Sequence, residues 1–219
     1  MTEKNYTLQS TFPIDTIELI KTYNVMDLRL QFGYSSFELS FLLGFRDLYV
    51  RDLENPLHSL QYSVPNNNYL QHIFNCGMNK ILPKKTDGDK YTIRVFTATE
   101  NALISYRIEK LEPNGSWTLF REFTEEPKLI ELPLDSSISE TAVREFIQGK
   151  FADGYFKTSK TALEVFQLCK KHFKEAIRPL YVANSLKVLT SKRKTPKLGT
   201  KKNEMGRTYY SELWLAFII

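Results

Sequence analysis

The chain has 219 residues, of which 42% are hydrophobic and 25% charged, so it holds enough apolar material for a folded core and is neither collagen-like, low-complexity nor disordered. The net charge of +5 is unevenly divided: from Lys157 onward 14 Lys and Arg stand against 4 Asp and Glu, while the rest of the chain carries 16 basic and 21 acidic residues. A basic C-terminal part of this kind points to an anionic partner such as nucleic acid, with a solvated lysine surface as the plainer alternative.

In chain order the first segment reads as helical. Asp15 followed by Glu18 has the form of a capping box, with Ile17, Ile20, Tyr23 and Leu28 behind it at helical spacing. Ser35 and Glu38 repeat the box before Phe37, Leu39, Leu42 and Leu43, and Gly44 ends that short helix. A third helix is expected from Arg46 to Leu53, stopping before Pro56, and a fourth around Tyr69 to Phe74. After the turn-rich stretch from Pro83 to Asp89 the texture changes. Tyr91 to Thr97, Leu103 to Ile108 and Trp117 to Phe123 are rich in β-branched and aromatic residues, with Pro113-Asn114-Gly115 as a turn between the last two. They predict an antiparallel meander, with a fourth strand at Lys128 to Leu132. Ser137 and Glu140 open a further helix that should end at Gly149. Thr161 and Glu164 cap the next, and Pro179 suits the first turn of another that presents Leu180, Ala183, Leu186 and Leu189. A basic loop from Ser191 to Lys197 follows, and Gly206 to Tyr210 run into an apolar strand. The expected division is a domain at 1–80, a small sheet plus helix at 88–150, and a basic module at 158–219.

The spacing of Arg29, Gly33, Ser35, Leu39, Ser40, Gly44, Val50, Leu53 and Glu54 carries more specific information. In the fold that this spacing resembles, Ser40 is small because two helices cross there, and Gly44 makes the turn between them. Over residues 20–65 the chain resembles the phage-repressor-like (Xre-type) helix-turn-helix family. That resemblance implies an N-terminal bundle in which Arg29 pairs with Glu54. It also implies that bases and phosphates are met from the positions of Ser36, Arg46, Asp47, Leu48 and Arg51. The matching residues are scaffold residues, and residues 1–80 hold 6 basic against 8 acidic groups. The same scaffold therefore also suits dimerisation or protein contact.

The region 158–219 resembles a winged helix-turn-helix in the order of its elements. Lys187, Lys192, Arg193, Lys194, Lys197, Lys201, Lys202 and Arg207 are then expected at the end of the recognition helix and in the wing, where each phosphate neutralised releases counterions. Tyr209 and Tyr210 either stack on bases or pack one ring into the core.

Other chemistry leaves little trace. The seven-residue apolar run from Leu213 to Ile219 falls short of the roughly 20 residues of a membrane span, and no secretory signal opens the chain. Cys76 and Cys169 are too far apart to imply a disulfide framework, and with His58, His72 and His172 they match no zinc-ligand spacing. Cys169 and His172 stand three apart on one helix, but a packed Cys is the simpler reading. No metal, cofactor or catalytic residue is expected. The sequence is therefore read as α+β: a repressor-like bundle, a central antiparallel meander that serves dimerisation, and a winged-helix-like module. The function it implies is a cytoplasmic, non-enzymatic transcriptional regulator bound to double-stranded DNA, with no membrane partner. The alternative is a protein-interaction module, an adaptor or a toxin-neutralising partner, built on a helix-turn-helix scaffold.

Overall fold

The computed structural model describes residues 4–126 and 137–213. Among them the chain is mixed α+β, with seven α-helices and two antiparallel sheets, and no helix is long and apolar enough to cross a membrane. The elements begin β1 (Thr7–Asp15), α1 (Thr16–Gln31), α2 (Ser36–Leu43), α3 (Tyr49–Glu54) and α4 (Val64–Phe74). Next come β2 (Lys90–Glu100), β3 (Leu103–Leu111) and β4 (Trp117–Thr124). They end with α5 (Glu140–Ala152), β5 (Lys160–Thr161), α6 (Ala162–Phe173), α7 (Pro179–Thr190), β6 (Lys197–Lys202) and β7 (Thr208–Leu213).

Two compact units divide the chain, and not at the boundaries 1–80, 88–150 and 158–219. The first holds the described residues up to Ser35 and from Val50 to Glu126; the second holds Ser36–Tyr49 and residues 137–213. The helix α2 thus belongs with the C-terminal part of the chain. The reason lies in its composition: every residue from Glu38 to Leu43 is buried, and a helix buried all round needs partners on all sides. Within the second unit it finds them in α6 and α7.

The first unit is a four-stranded sheet in the order β1-β2-β3-β4, all antiparallel, with α1 on one face. Alternation decides which side chains meet α1: Ile93, Val95, Tyr106 and Ile108 point inward and pack with Leu19, Tyr23 and Met26. The β3 to β4 turn carries Gly115 at φ 81°, as Asn114-Gly115 anticipates. The fourth strand is β1, a strand that the helical reading of the N-terminus omits. Phe12 and Ile14 alternate inward from it onto the same core. The segment Lys128 to Leu132 lies outside the described residues. Asp15 does precede α1, but its side chain makes no cap hydrogen bond, and Glu18 pairs with Lys21 at 2.8 Å instead.

The second unit places α5 against α7 and closes with a three-stranded sheet in the order β5-β7-β6. Thr161 and Glu164 form the anticipated capping box of α6, and Pro179 occupies the first turn of α7. Two expectations are corrected. The cap of α5 is Ser139, whose hydroxyl accepts from the Ala142 N–H, and α5 runs through Gly149 to Ala152. The basic loop expected as a wing stops at Pro196, and Lys197, Lys201 and Lys202 stand on β6, opposite Leu213, Tyr209 and Thr208.

The Arg29 to Glu54 pair is present. Arg29 Nε and Nη2 donate to the two carboxylate oxygens of Glu54 at 2.8 and 2.7 Å, with the arginine 1% and the glutamate 6% exposed. Arg29 also donates to the Tyr34 carbonyl at 2.8 Å and to Glu126. Desolvation pushes the Glu54 carboxyl up, and the adjacent guanidinium opposes it. Removing the arginine strands the buried Glu54 carboxylate, so Arg29→Ala is expected to lower unfolding stability by about 3 kcal/mol in urea titration.

Candidate nucleic-acid interface

From Lys187 to Lys202 the chain carries seven basic residues and no acidic one. Six of them, Lys187, Lys192, Arg193, Lys194, Lys201 and Lys202, are exposed, and Lys197 is half-buried. They run from the last turn of α7 through the 191–196 loop onto β6, an edge strand of its sheet. The loop is held near α5, where the Lys192 ammonium lies 5.3 Å from the Phe151 ring centroid. In the turn between β6 and β7 the single acidic residue is Glu204. The arrangement is a strip of point charges on long side chains over a rigid support, suited to a polyanion and to no particular base.

The N-terminal end of α7 is closed. Glu38, 0% exposed, receives Arg178 Nε and Nη2 at 3.0 and 2.9 Å and the Leu180 backbone N–H at 3.2 Å. A carboxylate at a helix start answers both the orphan N–H groups and the positive end of the helix dipole. Along the rest of α7, Asn184 donates to Glu140 at 3.4 Å, and only Lys187 and Val188 are exposed. The accessible part of this helix is therefore its C-terminal end. Sequence reasoning assigned Glu38 to a local capping box; its partner, 140 residues away, leaves no local signal.

Arg207 does not belong with the exposed cations. It is 1% exposed, donates from Nη1 to the Leu43 carbonyl at 2.7 Å, and its guanidinium lies 5.3 Å from the Phe45 ring centroid. It is a structural cation that satisfies an end carbonyl of α2. Nearby the Thr208 N–H donates to the Gly44 carbonyl at 2.7 Å, so the turn after α2 is bonded to the start of β7. Ser36 is half-buried at the start of α2, and its carbonyl accepts from the Ser40 hydroxyl at 2.7 Å. Arg46, Asp47 and Leu48 are exposed in the turn and precede α3 rather than forming its start. Arg51, on the first unit, is half-buried. Tyr209 and Tyr210 are both half-buried, and burial followed by the charge of Asp47 pushes the Tyr210 hydroxyl up to about 12.

Cys169 is fully buried, and burial pushes its thiol up to about 12, so it stays protonated at neutral pH. His172 stacks on Phe146 with centroids 4.0 Å apart. Comparison with protein-family models, with curated proteins and with solved structures finds no match.

Gly44 holds this junction in a way no other residue does. Its φ is 79°, and an added Cβ would come within 2.7 Å of Arg207 Cγ and 3.4 Å of the Thr208 nitrogen. Gly44→Ala is expected to cost about 1 to 3 kcal/mol, read as a fall in melting temperature of several degrees.

Proposed function

We propose that the protein is a non-enzymatic, cytoplasmic regulator that binds double-stranded DNA through the basic edge of its second unit. The observation that carries this reading is the set of seven cations from Lys187 to Lys202, with no acidic residue among them. The order helix, short strand, two helices, strand, hairpin and strand, with sheet order β5-β7-β6, supports a winged-helix module in which the β6 to β7 hairpin is the wing. In this reading Lys187, Lys192, Arg193, Lys194, Lys197, Lys201 and Lys202 meet phosphates, and Arg207 supports the wing from beneath. The Arg29 to Glu54 pair in the first unit and the left-handed Gly44 in the second are features that the repressor-like resemblance implies, and by that resemblance Ser36, Arg46 and Arg51 are DNA-contacting positions. The closed start of α7 leaves phosphate contact, rather than insertion of a recognition-helix tip, as the main source of affinity.

A second reading, a protein-interaction module, is favoured by one observation: Asp47, beside Arg46 in the exposed turn, repels phosphate and attracts a basic partner.

The two readings separate in a salt titration of the full chain on random-sequence duplex DNA. The regulator reading expects log affinity to fall linearly with log salt. It also expects Lys192→Ala/Arg193→Ala/Lys194→Ala to make that slope shallower by about 0.9 for each phosphate no longer neutralised, on every sequence alike. Affinity that is absent at low salt, or a slope untouched by the triple change, contradicts it.

A further inference from the structure

On the first unit α1 covers one face of the sheet; the opposite face bears the alternate side chains. The register sets them in rows. Leu8, Phe96, Arg107 and Glu122 lie across the four strands in one row, and Thr11, Arg94, Glu109 and Leu119 in the next. At one corner, where Lys4 donates to Ser105 and Thr124, Ala98 and Ser105 are buried. Elsewhere the face is open and mixed: Leu8 is 51% and Leu119 57% exposed, Leu111 pairs with the half-buried Trp117 beside Leu119, and Arg94, Arg107, Glu109 and Glu122 stand among them.

Its charges are nearly balanced. Glu109 accepts from Arg94 at 2.5 Å and from Arg107 at 2.9 Å, and the Arg94 guanidinium lies 5.2 Å from the Phe96 centroid and 4.5 Å from that of Trp117. With Glu122 as the second acid and Lys4 at the covered corner, three cations stand against two acids, too small an excess to draw a nucleic acid or a strongly charged protein. Exposed Leu8, Leu111 and Leu119 around near-balanced charge suit a partner whose surface has the same mixture.

We propose that this face seats a second copy of the chain, packed sheet on sheet about a two-fold axis. The rows are self-complementary under one such axis, running along the strands between β2 and β3. It sets each Arg94 over Glu109 of the second copy, and each Phe96 ring over the Arg107 guanidinium of the second copy, as an isologous interface requires. Four strands spaced about 4.8 Å, each of about nine residues at roughly 3.3 Å, offer a footprint of roughly 19 by 30 Å. With side-chain relief this approaches the roughly 800 Å² per partner of a specific interface.

The test is sedimentation equilibrium of the full chain over micromolar concentrations without DNA, so that its outcome is independent of the DNA-binding reading. Wild type is expected to sediment as a dimer. Leu119→Glu, on an exposed side chain, should weaken dimerisation at least about 30-fold with unchanged circular dichroism, and the conservative Leu119→Met should not. A monomeric wild type, or a dimer indifferent to Leu119→Glu, overturns the proposal. A monomer that, as the Trp214→Phe variant, has its remaining Trp117 fluorescence quenched by single-stranded oligonucleotide overturns it in favour of base stacking.

Discussion

The carboxylate of Glu38 lies between the Arg178 guanidinium and the first free N–H of α7, and the second unit is organised around that contact. Both partners are almost completely buried, so each charge has given up its water and is stable only in the presence of the other. This makes α2 an obligatory part of the C-terminal unit. It also fixes which end of α7 faces solvent, because a helix start filled by a carboxylate offers no site for a phosphate.

The two units use buried charge for the same purpose at different places. Arg29, Glu54 and Glu126 tie α1 to the end of α3 in the first, while Arg207 satisfies the carbonyl end of α2 in the second. In each case an arginine with several donors in a fixed fork serves backbone or carboxylate oxygens that a hydrophobic core could not satisfy. The surface lysines are free of such duties. Their number along the 187–202 stretch is what the proposed DNA contact rests on.

Much of this was legible locally. The capping box of Thr161 and Glu164, the proline opening α7, the turn at Asn114-Gly115 and the positive φ of Gly44 each depend on neighbours within a few residues, and the structure has all four. The Arg29 to Glu54 pair was readable because the family that residues 20–65 resemble implied it. What depends on remote partners was not legible. The segment Thr7–Asp15 is a strand because β2 pairs with it, Thr7 meeting Thr97, and its alternating Phe12 and Ile14 acquire meaning only from that pairing. Arg207 looked like one more cation of a basic tail, and its burial depends on the end of α2, which lies 164 residues earlier. The boundary inside residues 20–65 was hidden for the same reason: sequence adjacency placed α2 with α1, whereas its burial places it with α6 and α7.

The central claim is that the accessible C-terminal end of α7, the loop after it and β6 meet DNA while the closed start of α7 does not. Amide hydrogen exchange of the full chain with and without duplex DNA tests it most directly. The account predicts new protection across residues 187–202 and unchanged exchange at Leu180 and Tyr181. Protection gained at the start of α7, with residues 191–202 unaffected, would contradict it.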